Sequence, residues 1–338
     1  MQLLTFDQIN GEIGAKKAHL LLGNGFSRAC RDDIFSYDSL FERADFASLS
    51  REARAAFDAL NTTDFEVVMS SMRRASALIR AYRGASDELA VQFTRDSDGL
   101  REVLVQAISG SHPAFPAEIE SGRYAACKEF LAHFRNIYTL NYDLLLYWAN
   151  MQNEVAPPLV CDDGFRTPPS GKAGYVTWEI ENTDKQNVFY LHGALHLFDA
   201  GAELQKYTWV NTGERLIEQI RHALSENKYP LFVAEGSSRS KLERIRHSDY
   251  LSRGLRSFAH ISGDLVVFGH SFADNDDHVL RLIFRQKTGR LYVGLFGDPE
   301  SPANKRIVRK AMDFGAQRST SRPLEVQFYD AATARVWG

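Results

Sequence analysis

Hydrophobic residues along this chain gather into short runs, separated by longer stretches with helical spacing. The runs are Ala18 to Leu22, Asn136 to Leu140, Asn187 to Leu191, Pro230 to Ala234, Leu265 to Gly269, Leu291 to Phe296 and Leu324 to Tyr329. None alternates strictly between apolar and polar. A strand with one face in water alternates; unbroken apolar runs predict strands covered on both faces, as in a parallel sheet between helices. The pattern therefore predicts an α/β protein with a mostly parallel sheet.

Between the first two runs no strand-like segment occurs. Asp64 to Tyr82 spaces Phe65, Val68, Met72, Ala75 and Ile79 at three and four, which puts them on one face of a helix, and Asp87 to Ile108 continues in the same manner. Residues 40–112 thus read as a helical insertion after the first strand, inside a single domain spanning 1–338. Residues 153–175 read as a long loop rich in proline and glycine, with Pro157, Pro158, Pro168 and Pro169. Ser237 to Ser257 carries Arg239, Lys241, Arg244, Arg246 and His247 and reads as a solvated helix face. There is no internal repeat.

Composition narrows the function classes. With 40 basic and 43 acidic residues the net charge is -3, so no basic surface for nucleic acid is expected. The apolar runs fall far short of the roughly 20 residues of a membrane helix, and no basic leader precedes a long apolar stretch. Cys30, Cys127 and Cys161 are odd in number and scattered, which predicts a reducing compartment, by default the cytoplasm.

Candidate chemistry lies where the runs end. After the first comes Gly23-Asn24-Gly25-Phe26-Ser27: glycines permit a sharp turn and close approach of a ligand, and a helix opening at Ser27 favours a pyrophosphate at its N-terminus. The dehydrogenase version of this loop is poorly matched. Arg28 occupies the place of the third small residue, and residues 36–60 look helical where an acidic strand end is required, although Asp38, Glu42 and Asp45 are at hand. The second run ends Thr139-Leu140-Asn141-Tyr142-Asp143, where an amide and a carboxylate can meet a ribose or water, or can cap the next helix. The third ends in His192-Gly193, a candidate general base with space beside it; His196 reads as packing or capping, not as a metal ligand. A fourth loop runs Gly269-His270-Ser271 and on through Asp274, Asp276 and Asp277. Gly269 and Ser271 are candidates for an adenosine contact, and the carboxylates read mainly as helix caps.

This ordered set resembles the sirtuin-like NAD-consuming enzymes, which carry a Gly-x-Gly-x-Ser loop, a Thr-x-Asn-x-Asp segment, a His-Gly pair and a Gly-x-Ser loop. Here these stand as Gly23 to Ser27, Thr139 to Asp143, His192-Gly193 and Gly269 to Ser271. The resemblance implies a Rossmann-like sheet and NAD as substrate, with Asn141, His192 and Asp143 as catalytic residues. It also implies NAD contacts from Gly23, Asn24, Gly25, Phe26, Ser27, Thr139, Tyr142, Gly193, Gly269 and Ser271. Two features depart from the peptide deacetylases of the family. Three scattered cysteines cannot form their zinc ribbon, so no metal is expected, and Asn24 stands where alanine is usual. The likeness is to the zinc-free branch found in bacterial antiphage defence, in which Asp64-Phe65-Glu66 resembles an element of the inserted helical layer. An NAD glycohydrolase is the implied activity. Control would come from homo-oligomerisation or from a separately encoded sensor, nucleotide-binding or pyrophosphatase-like. A non-catalytic sensor of NAD or ADP-ribose, and a protein deacylase or ADP-ribosyltransferase, are the alternatives.

Overall fold

All five residues of the first apolar run are buried, and they form strand β1 (Ala18–Leu22). A computed structural model describes the chain apart from residues 1, 15–17, 85–86, 169–170, 172–173, 209–213, 227, 235–236, 319–320 and 322. Among the described residues nine strands follow β1. They are β2 (Phe134–Thr139), β3 (Phe165–Arg166), β4 (Tyr175–Trp178), β5 (Val188–Tyr190), β6 (Leu197–Asp199), β7 (Leu204–Tyr207), β8 (Ser262–Phe268), β9 (Lys287–Leu295) and β10 (Glu325–Asp330).

Six of them make a sheet in the order β10-β9-β8-β1-β2-β5, every neighbouring pair parallel. Side chains alternate between two hydrophobic layers, as the period of two requires. Leu20, Leu22, Ile137, Val266 and Phe268 enter one core; Leu21, Tyr138, Leu265 and Val267 enter the other. The sheet is thus covered on both faces, as the unbroken apolar runs predict. From β1 the chain builds outward through β2 to β5, then returns to β8 on the other side of β1 and builds outward again. The order reverses between β1 and β8, and open α/β sheets bind ligands beyond the carboxyl ends of strands at such a point.

Among the described residues the interval between β1 and β2 holds helices and no strand. Its two longest helices, Phe65–Arg83 and Glu88–Ser111, start at Asp64 and Asp87, whose carboxylates accept the backbone N–H groups of Glu66 (2.9 Å) and Leu89 (3.0 Å). Phe65, Val68 and Met72 are buried as their spacing predicts. No helix among the described residues is long and apolar enough to cross a membrane.

Two features depart from the sequence expectation. The run Pro230 to Ala234 is buried except for the half-buried Leu231 but is not a strand: Phe232 makes one antiparallel bridge to Gly193, and the segment packs over the loop after β5. Its Pro230 has no N–H for a ladder. A second, antiparallel sheet in the order β3-β4-β7-β6 was not expected. Its strands are two to four residues long and include polar residues such as Arg166, Thr177, Gln205 and Lys206, which hide them from an apolar pattern. β3 lies within the 153–175 loop, of which residues 169–170 and 172–173 are outside the described residues.

Candidate active site

The loops after β1, β2, β5 and β8 leave the same edge of the parallel sheet, so the fold brings all four sequence motifs to one rim. At the reversal point the glycines serve a contact between two backbones. Gly23 N–H donates to Phe268 O (3.0 Å) and Gly25 N–H to Gly269 O (2.8 Å). A Cβ at Gly25 would fall 2.5 Å from Gly269 Cα, and Gly269 has φ +68°, a region that favours glycine. The Gly23 and Gly25 amides, which the sequence assigns to a phosphate, are thus engaged by the end of β8 and the residue that follows it. Asn24 turns its Nδ2 to Phe35 O (3.1 Å), and Phe26 packs its ring on Trp337 at 5.2 Å.

Ser27 joins the β1 loop to the β2 loop. Its hydroxyl donates to Asp143 Oδ2 and accepts from Asn141 Nδ2 at 2.8 Å, and all three residues are buried. Asn141 N–H is held by Thr139 Oγ1 (3.0 Å). Asp143 Oδ1 also accepts Leu145 N–H (2.9 Å), the first amide of the following helix, while belonging to the trio. Burial pushes its pKa up, against the Ser27 hydrogen bond. Ser27, Asn141 and Asp143 are therefore one unit.

His192 closes β5 with its Nε2 2.9 Å from Nε2 of His278, the rings stacked with centroids 5.0 Å apart. Burial holds the His192 pKa well below the ordinary value, helped by the Lys241 ammonium; burial likewise lowers His278 to about 4. Both imidazoles are neutral at neutral pH. Tyr142, between Asn141 and Asp143, lays its ring nearly parallel to that of His192 at 6.2 Å, which links the two groups of site residues. Gly193, at φ +80°, lies against the backbone of Leu231. Ser271 is exposed. His196 packs between Tyr147 and Tyr190, as expected.

An ionic network centred on the buried Lys241 borders His192. Lys241 Nζ donates to Glu66 Oε2 (2.7 Å) and Asp276 Oδ1 (3.0 Å), and its side chain has no exposed surface. Glu66 also accepts from Asn275 Nδ2 (2.6 Å) and from the Tyr142 hydroxyl (3.0 Å). Asp276 Oδ2 meets His270 Nε2 at 3.2 Å, and its Oδ1 stands 3.9 Å from His192 Nε2. Burial raises Glu66 to about 7, opposed by Lys241 and reinforced by Asp276 and Asp64. For Asp276, burial is outweighed by Lys241 and His270, and its pKa lies well below the carboxylate range. Burial works against the charge on Lys241, but its two carboxylates raise its pKa above the usual value.

Two of the sequence readings change here. Lys241 belongs to a basic segment expected to face solvent, yet it is buried four residues before Ile245, the other buried residue of helix Ser238–Arg246. That spacing on the inward stripe was the available signal. Asp276, expected to cap a helix, spends both oxygens on Lys241 and His270. His278 had no signal, because its role depends on a partner 86 positions away.

Among the described residues, His192, Asp276 and His278 come nearest to a metal-ligand set, with ligand atoms within 4.8 Å of one another. Lys241 already sets an ammonium against Asp276. The trio therefore faces a resident positive charge.

Fold and site together define an α/β protein with a Rossmann-like parallel sheet and a polar cluster at its topological switch point. Residues 20–337 match the family DUF4917, described as a domain of unknown function, and the chain belongs to that family. Among curated proteins none matches it.

Proposed function

We propose that this chain hydrolyses NAD at the bond between ribose and nicotinamide, releasing nicotinamide and ADP-ribose. The observation that carries the reading is the Ser27–Asn141–Asp143 unit, buried at the carboxyl ends of adjacent strands β1 and β2 and tied through Tyr142 to His192. Loss of nicotinamide leaves an oxocarbenium-like sugar, which calls for an anion nearby and a base for water or a ribose hydroxyl. Asp143 supplies the anion. Asn141 orients water or the ribose, and His192, neutral through burial, accepts the proton. No residue of this set needs a metal for its role.

By the resemblance of its motifs, the chain acts as an NAD-depleting effector in antiphage defence, held in check by self-association or by a separately encoded sensor. Incubation of the purified chain with NAD, alone and with the products of neighbouring genes, tests both points. Proton NMR distinguishes free nicotinamide from NAD. Release of nicotinamide in equal amount to ADP-ribose is expected; binding of NAD without cleavage under every condition would replace the reading by that of a sensor.

A further inference from the structure

His192 has two ring nitrogens, and His278 occupies one of them. With Nε2 of each ring 2.9 Å from the other, one carries the proton and the other accepts it. Asp276 Oδ1, 3.9 Å from His192 Nε2, favours the proton on His192. In that arrangement His192 donates from Nε2, His278 accepts at Nε2, and the lone pair of His192 lies on Nδ1. We propose that His278 is a positioning residue that fixes this tautomer, and that Nδ1 of His192 is the atom exchanging protons with substrate.

The assignment rests on the NAD-hydrolysis reading for its chemistry and on the histidine contact for its geometry. When water or a ribose hydroxyl gives its proton to Nδ1, the Nε2 proton passes to His278. His192 is left neutral and the positive charge rests on His278. No other bond changes in that step. The charged and titratable groups that act on His192 are Lys241 from helix Ser238–Arg246, and Asp276, His278 and His270 from the segment after β8; Tyr142 adds its ring from the β2 loop. Asp276 is the carboxylate among them, and it favours a positive charge on the pair. Lys241 opposes it, which keeps both rings neutral before substrate arrives.

Long-range 1H–15N NMR of the imidazole rings in the wild-type protein near neutral pH tests the tautomer without any reaction. The expected spectrum shows His192 protonated at Nε2 and His278 at Nδ1. The reverse assignment, or a metal ion bound between the rings and detected by elemental analysis, would overturn the proposal. Kinetics of nicotinamide release supply the second arm. His278→Leu cannot accept the hydrogen bond and is expected to lower kcat about 100-fold, with KM for NAD nearly unchanged. His278→Gln, whose amide oxygen can accept, is expected to recover most of the rate. Equal loss in both variants at unaltered melting temperature would refute the positioning role. An inactive wild type with the expected tautomers would leave the histidine pair standing and remove the NAD reading.

Discussion

Lys241 Nζ lies 2.7 Å from Glu66 Oε2, joining a helix of the inserted layer to the helix Ser238–Arg246 that precedes β8 by way of Asp249–Ala259. The ammonium also serves Asp276, so it is the buried cation that two half-buried carboxylates share. Removing the buried cation leaves two like charges close together with little solvent to screen them. Lys241→Met is expected to destabilise the protein by about 3–5 kcal/mol. In the double variant Glu66→Gln with Lys241→Met, the total is expected to fall short of the sum of the single effects, because the two side chains share one interaction. Urea unfolding of the four species forms the cycle; strict additivity would mean that the contact carries no coupling.

Stability should depend on pH in a direction set by buried histidines. His192 and His196 lie well below their ordinary value, and His19, His112 and His278 are each lowered to about 4, in every case chiefly by burial. Between those values and 6.5 the unfolded chain binds more protons than the folded one, so stability rises with pH. Glu66 runs the other way. Its folded pKa of about 7 exceeds the usual value of 4.5, so its contribution is present at low pH and is lost as pH rises through 7. Five histidines outweigh Glu66 and the carboxyls of Asp64 and Asp143, which burial also raises. Unfolding free energy is expected to increase from pH 4.5 to 6.5, and Glu66→Gln should make that rise steeper. A flat profile in the variant would show that these groups are not perturbed as their surroundings require.

Gly269 is held at φ +68° with the Gly25 Cα 2.6 Å from where a Cβ would stand. Gly263, at φ +91°, has open space around the same position. Alanine at Gly263 pays for the left-handed backbone alone, about 1–2 kcal/mol. Gly269→Ala should cost clearly more, since the β1 and β8 loops must separate. Melting temperatures of the two variants make the comparison, and equal losses would mean that the loop contact is not tight.

The parts of the fold legible in the sequence were those built from local pattern. β5 is apolar throughout, β1 is so but for His19, and β2, β8 and β9 carry apolar segments, because both faces of the sheet are covered there; the edge strand β10 mixes Glu325 and Gln327 with its apolar residues, and the helix Phe65–Arg83 shows its buried face at helical spacing. The second sheet was invisible: β4 and β7 pair over four residues each, with Thr177, Gln205 and Lys206 among them. At the site, Asn141, Asp143 and His192 could be picked out because polar residues directly follow apolar strands. Asp276 and His278 could not, and Lys241 showed only its four-residue spacing to Ile245. A charged residue is ordinarily solvated, and only the tertiary arrangement sets these three against partners 35 to 175 positions away.

Ser27 bridges Asn141 and Asp143 from within helix Gly25–Phe35, and it has no exposed surface. Ser27→Ala removes a donor from the buried Asp143 and an acceptor from Asn141. The expected cost is about 1–3 kcal/mol, with nicotinamide release reduced even where the variant is fully folded. Circular dichroism and an NAD assay at a temperature well below unfolding separate the two effects. Undiminished activity would detach Ser27 from the site.

The central claim concerns Asn141 and its unit at the end of β2. Its most direct test is the rate of nicotinamide release from NAD by the wild-type protein and by Asn141→Ala, in the same activated state and at matched melting temperature. The expected result is release by the wild type and none above background by the variant. Equal release by both would contradict the account.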